Sequence, residues 1–110
     1  MEMTEAVEVL SSLSQETRLK VFKLLLEFGR DGVVPTKIAD ELSMPMNTLS
    51  FHLSHMSRAG LVTSKKDGRS ISYFANAELI EDLIGYLQEN CCARERKLRA
   101  RSGIFKGRKC

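Results

Sequence analysis

Only three residues, Ser43-Met44-Pro45, separate two stretches of helical apolar rhythm, and that brevity limits what the chain can fold into. Upstream, Pro35-Thr36 introduces a short helix with Thr36 as the expected cap and Ile38, Ala39 and Leu42 facing inward. Downstream, Met46–Val62 (MNTLSFHLSHMSRAGLV) sets Leu49, Leu53 and Met56 at i, i+4 and i+7, one stripe of a helix, before Ala59-Gly60 ends it. Two short helices joined by so tight a turn, with proline at the entry to the second, form a helix-turn-helix. The second helix carries Asn47, Ser50, Phe51, Ser54 and Arg58 on its other face. Short hydrogen-bonding groups near a helix N-terminus are what entry into a DNA major groove requires. An ordinary amphipathic surface helix has the same pattern, so the neighbouring segments have to decide.

Beyond Gly60 the chain alternates through Leu61–Lys66, turns at Asp67-Gly68 and alternates back through Arg69–Phe74. Asp-Gly between two such runs signals a two-residue hairpin. A helix-turn-helix followed by a basic hairpin is a winged helix, whose Lys65, Lys66 and Arg69 would hold a phosphate backbone or enter a minor groove. The charge distribution agrees. Up to Cys92 there are nine Lys/Arg against thirteen Asp/Glu; from Ala93 onward there are eight against one, so the net +3 is a local positive field on an acidic body.

Thr4–Leu13 reads as an amphipathic helix with Val7, Leu10 and Ser11 or Leu13 at helical spacing and acidic residues in its first turns. Ser14 is placed to cap a second helix to Phe28, with Leu19, Phe22, Leu25 and Leu26 facing a core and Gly29 ending it. Asn76 caps a last helix whose Leu79, Leu83, Ile84, Tyr86 and Leu87 form a face wider than one small core needs, running to Cys91-Cys92. With the first helix, that face would make a homodimer interface, and a two-fold protein reads a two-fold operator. The expected fold is mainly α with a small β-hairpin: residues 1–92 as a winged helix-turn-helix DNA-binding and dimerisation domain, and 93–110 as a basic extension, partly disordered past Ser102. No apolar run approaches the roughly 20 residues of a membrane span. The acidic start lacks the regions of a signal peptide, and three cysteines, an odd count, argue for reduced thiols; the reading is cytoplasmic.

Leu13–Leu19 (LSQETRL), Asn47–Leu53 (NTLSFHL), Arg58–Val62 (RAGLV) and Asp67-Gly68-Arg69 with Tyr73 resemble, in order and spacing, the ArsR/SmtB family of metal- and metalloid-responsive repressors. The resemblance covers roughly residues 5–92. It implies a homodimeric winged-helix repressor that holds double-stranded operator DNA when empty and releases it when an inducer binds. Carried over by position, Asn47, Thr48 and Ser50 match the family's base-reading positions and His52 its Ser-X-His signature, with Phe51 at the variable position between. His52 lies beside Leu49, Leu53 and Met56, so it either orients the helix or touches DNA. Arg18 is expected to bridge a carboxylate or contact phosphate, and Arg69 is the better candidate for DNA.

The sequence departs from the best-known arsenic-sensing members at the third helix, where Val33–Lys37 carries no thiol. Zinc- or nickel-type sites on the last helix need histidine and carboxylate ligands, but both histidines, His52 and His55, fall in the recognition helix. What remains is Cys91-Cys92 with Cys110 as the third thiol in cis, and a subset of the family resembles this chain in a Glu-Asn-Cys-Cys run at the end of the last helix. Soft thiolates select thiophiles. Trivalent arsenic takes three sulfurs, or two when one valence already holds carbon, so the expected inducer is arsenite or an organoarsenical, with no obligatory cofactor. Three other readings stay open: Cys91 and Cys92 as packing residues at a dimer interface, a redox- or sulfide-responsive regulator using the same thiols, and a winged helix serving as a protein-interaction module. Catalysis is not expected, because no base, nucleophile and orienting acid cluster in the pattern.

Overall fold

The computed structural model describes residues 1–95. Among them the order is α1 (Met3–Leu13), α2 (Glu16–Phe28), a 3-10 turn (Gly29–Asp31), α3 (Pro35–Leu42), α4 (Met46–Arg58), β1 (Val62–Asp67), β2 (Ser70–Ala75) and α5 (Ala77–Gln88). The expected class is the observed one: helices with a single antiparallel hairpin in which Val62 faces Ala75 and Asp67 faces Ser70. No helix in this span is long and apolar enough to cross a membrane.

The core is assembled from every α-helix and from the start of the hairpin, with α2 and α4 contributing most. Leu25 of α2, Ile38 of α3, Leu49 and Met56 of α4, and Leu61 just before β1 are fully buried together with Val9 and Val21. The stripe expected on α4 is therefore the one that packs. On α2 the expectation was half right: Phe22 and Leu25 are buried, but Val21 and Leu24 join them, while Leu19 and Leu26 are exposed. This helix has more apolar residues than one face can bury, and its anchoring at the N-terminus sets the rotation. On α1 the inward stripe is Ala6, Val9 and Ser12, leaving Val7 and Leu10 outside.

Helix starts and stops are where the structure differs most from expectation. Ser14 does not cap α2; its Oγ donates back to the Ser11 carbonyl (2.8 Å), and Gln15, in extended conformation, accepts from Arg18 N through Oε1 (2.8 Å). Thr36 does not cap α3. Pro35 occupies its first turn, and Val34 is the N-cap without a side-chain bond. Ser43 closes α3 in the left-handed region (φ 52), with Met44 N bonded to Ala39 O (3.0 Å) and Ser43 N to Asp40 O (3.3 Å), the paired bonds of a Schellman stop. Pro45, as N-cap rather than first-turn residue, then starts α4. Asn76 does cap α5: Oδ1 accepts from Leu79 N (3.2 Å), and Nδ2 donates to Gly60 O (3.0 Å), which ties the end of α4 to the start of α5.

The hairpin turn falls one residue later than expected. Asp67 pairs with Ser70, so Gly68-Arg69 is the loop, and Gly68 supplies the positive φ (63) at its first position as a type II′ turn requires. At the hairpin's base, Val33 bridges Tyr73 through two backbone bonds (3.0 and 2.8 Å). Gly32 allows this approach: its φ is +70, and a Cβ there would stand 2.6 Å from Phe74 Cε2. Finally, α5 ends at Gln88, three residues before the cysteines. Glu89 is extended, and Asn90 and Cys92 have φ of 62 and 61, so the chain leaves the helix in short turns rather than carrying it to Cys92. The basic extension past Glu95, including the expected disorder beyond Ser102 and the third thiol Cys110, lies outside the described residues.

A polar junction locks α4 to the N-terminal helices. Arg18, expected to meet a carboxylate or phosphate, instead donates Nε to the Ser12 carbonyl (2.7 Å) and Nη1 to Nδ1 of buried His52 (3.5 Å). Ser12, fully buried, is hydrogen-bonded through Oγ to His55 Nδ1 (3.0 Å). Because arginine can only donate, His52 must be the neutral tautomer with Nδ1 as acceptor. Burial first, then the Arg18 guanidinium and His55, hold its pKa below the ordinary histidine value.

Two outcomes follow for stability. Gly32→Ala combines a strained φ with a clash against Phe74, so urea denaturation should show a loss of about 2 kcal/mol with unchanged slope. A histidine with a depressed folded pKa binds fewer protons folded than unfolded, so its contribution is whole above the ordinary value and is lost as pH falls through the folded one. Thermal melts between about pH 7.5 and 5.5 should therefore show a smaller acid-side loss in His52→Gln than in the wild type.

Candidate nucleic-acid interface

With Leu49, Leu53, Met56 and His52 turned inward, α4 presents Asn47, Thr48, Ser50, Phe51, Ser54 and Arg58 to solvent. At 100° per residue, Asn47, Ser50, Phe51, Ser54 and Arg58 occupy one stripe opposite the core. Asn47 Oδ1 accepts from Thr48 N (3.0 Å), which engages the carbonyl end of the amide and leaves chiefly its NH2 donor to offer. Phe51 is 65% exposed, and its ring meets that of His52 edge-on, with centroids 5.7 Å apart. Among the α4 candidates His52 stands apart: it is buried and bonded to Arg18 rather than directed outward.

The wing adds a second cationic surface. Lys65 and Lys66 are consecutive in β1 and so project from opposite faces of the two-stranded ribbon, while Arg69 sits at its tip; all three are exposed. α4 and β1 are joined through Ala59-Gly60-Leu61, whose bonds to α4 (Gly60 N to Ser57 O, 3.0 Å; Leu61 N to Met56 O, 2.9 Å) and to Asn76 (Asn76 N to Leu61 O, 2.8 Å) fix the wing's direction relative to the helix. Helix and hairpin are thus tied together at this junction, each with polar or basic side chains exposed.

The cysteines lie elsewhere, on the turn after α5. Cys91 Sγ and Cys92 Sγ stand 3.6 Å apart, an approach that adjacent residues achieve here because Cys92 has left helical geometry. Among the described residues no three His, Cys, Asp or Glu side chains come together as a metal site. Cys92 takes part in a disulfide, so a ligand held by both sulfurs needs that bond reduced first. Sequence reasoning missed Ser12, Gln15 and His55 as members of the junction behind α4. Gln15 had a signal, since a polar residue three before Arg18 is a cap position; the contact of Ser12 with His55, forty-three residues apart, had none.

Comparison with known proteins agrees with this architecture. A helix-turn-helix domain family matches residues 13–65. An uncharacterized HTH-type transcriptional regulator of Methanocaldococcus jannaschii is 33% identical over 77% of this chain and 93% of its own length. A Halobacterium salinarum protein named "Putative arsenical resistance operon repressor ArsR" is 37% identical over 61% of this chain and 51% of that one. The solved structure of an ArsR-like transcriptional regulator from Rhodococcus sp. RHA1 superposes with a TM-score of 0.72 at 30% identity, covering 88% of this chain and 89% of that chain. With five helices, a two-stranded wing and a helix-turn-helix among its described residues, the chain belongs to the ArsR/SmtB family of DNA-binding winged helix-turn-helix transcriptional regulators.

Proposed function

We propose that the protein is a homodimeric repressor that leaves its operator when trivalent arsenic, as arsenite or an organoarsenical, is captured by Cys91 and Cys92. The observation that carries the sensing half is the 3.6 Å separation of the two sulfurs on the turn after α5. Taking the zinc–thiolate distance as a guide, two sulfurs at about 2.3 Å from one centre span about 3.3–3.8 Å for bond angles between a right angle and tetrahedral. The 3.6 Å spacing falls in that range, and capture acts on the reduced form, after a dithiol reductant has opened the disulfide at Cys92. Each arsenic–sulfur bond formed replaces an arsenic–oxygen bond and releases water. A mono-organo arsenical needs two such bonds; arsenite needs a third sulfur, for which Cys110 is the residue in this chain. The likeness to the arsenical resistance repressor named above supports the same inducer class.

On the DNA side, Asn47, Thr48, Ser50, Phe51, Ser54 and Arg58 meet base edges in the major groove, and Lys65, Lys66 and Arg69 hold backbone phosphates. His52 acts through Arg18, orienting α4. Lys65 and Lys66 point to opposite sides of the ribbon, which suits a wing that straddles two phosphate strands across a minor groove. Dimerisation is supported by the exposed apolar side chains left on two adjoining helices: Val7 (56%) and Leu10 on α1, Ile84 and Leu87 (59%) on α5. Tyr86 Oη donates to Met3 Sδ (3.6 Å), a contact that links the start of α1 to the end of α5. A patch of this kind, on a chain of 110 residues, is buried by a second copy. The cysteine turn directly continues α5, so capture there alters the last turn of the helix through which the two copies would meet.

Fluorescence anisotropy on an operator duplex tests the reading. Arsenite or phenylarsenite should weaken wild-type binding about 5- to 150-fold, the usual range of coupling between sites. The Cys91→Ser/Cys92→Ser variant should bind DNA normally and ignore both compounds, whereas Cys110→Ser should keep its response to phenylarsenite and lose that to arsenite. Unchanged release from the double variant, or release of the wild type by peroxide or sulfide but not by arsenite, would contradict the assignment.

A further inference from the structure

From the placement of Phe51 we infer that it is a sequence-reading residue whose target is the C5-methyl group of a thymine in each operator half-site. The inference rests on α4 as the DNA-reading helix and names what one of its side chains reads. Phe51 lies about 160° around the helix axis from both Leu49 and Leu53 and about 140° from Met56, on the outward face of the helix. A phenyl ring 65% exposed at that position has its outer side uncovered by the described residues, whose packing gives no reason for it. Its neighbours on the stripe are Asn47, Ser50, Ser54 and Arg58, all exposed and none apolar. A protein-docking face would need a contiguous apolar patch; here one ring stands alone among hydrogen-bonding and cationic groups. That combination is complementary to a major groove, whose floor offers donors and acceptors, whose walls carry phosphates, and whose apolar feature is the thymine methyl.

The ring is also held in place. Its edge-on contact with His52, planes 70° apart, rests on a histidine that is buried and bonded to Arg18. Phenylalanine has only two side-chain torsions, so little freedom is lost when the ring meets a methyl group. The polar residues around it then fix register and read the neighbouring base edges, while Phe51 distinguishes thymine from cytosine at its own step.

The test begins with an operator selected from a random duplex pool by the wild-type protein. Each thymine of that operator is replaced in turn by deoxyuridine, which lacks only the methyl group, and affinity is measured by anisotropy for wild type and Phe51→Ala. One symmetric pair of thymines should be sensitive, with wild-type affinity falling about fourfold per half-site, the worth of one buried methyl group. Phe51→Ala should bind the thymine operator more weakly and show no further loss on the deoxyuridine duplex, which isolates the ring-to-methyl interaction as a double-mutant cycle. Because Phe51 is exposed, its replacement should leave the thermal melt unchanged. Wild-type indifference to deoxyuridine at every position, or an equal deoxyuridine loss in wild type and Phe51→Ala, would overturn the inference while leaving DNA binding intact. Failure to select any duplex would overturn the DNA-reading assignment of α4 itself, and this inference with it.

Discussion

Arg18 is the point through which three helices share one polar junction, and the position of the recognition helix depends on it. Its backbone N–H is taken by the Gln15 cap that starts α2, its Nε closes the last turn of α1 at the Ser12 carbonyl, and its Nη1 reaches His52 on α4. Beside it, Ser12 and His55 make a second bond between α1 and α4. Buried polar groups cost free energy when unpaired, so fully buried Ser12 and nearly buried His52 are tolerable only in the arrangement where these partners meet. Apolar packing of Leu49, Leu53 and Met56 would allow α4 to slide or rotate by small amounts at little cost. The directional bonds select one register, and that register turns Asn47, Ser50, Phe51, Ser54 and Arg58 outward together.

The helix-turn-helix, the wing and the α4 stripe were legible because each rests on local chemistry: a three-residue connection, a Gly in a two-residue loop, apolar residues at helical spacing. The errors have local causes too. Ser14 and Thr36 were reasonable caps by residue type, but Ser14 is occupied with the Ser11 carbonyl, and Pro35 claims the first turn of α3. The wider misreading concerned α1 and α2. Both carry two apolar stripes, and periodicity alone cannot say which one faces the core and which is left for another surface. Leu19 and Leu26 look inward by pattern and are exposed, because the Gln15 and Arg18 anchors rotate the helix to bury Val21 and Leu24. The junction itself was invisible, since its members come from segments more than thirty residues apart.

The cysteine pair was legible as residues but not as geometry. On a continuous helix, adjacent side chains diverge by about 100°, a geometry that keeps neighbouring sulfurs apart. The structure ends α5 at Gln88, and the left-handed residues Asn90 and Cys92 bring the sulfurs to 3.6 Å. The turn that breaks the helix is therefore what makes a two-sulfur site geometrically accessible. It also separates the proposed input from the output. The sulfur pair follows α5 and its exposed apolar residues, whereas the stripe proposed to meet DNA is on α4, held from behind by the Arg18 junction. A ligand at one need not touch the other; it has only to favour one arrangement of the two copies over another by the 1–3 kcal/mol typical of coupled sites.

The most direct measurement of that link is native mass spectrometry of the operator-bound protein during titration with arsenite. The account predicts that dimer–DNA species disappear in step with the appearance of DNA-free dimer carrying one arsenic per protomer. Persistence of a ternary dimer–arsenic–DNA species, or loss of DNA from dimers that carry no arsenic, would contradict it.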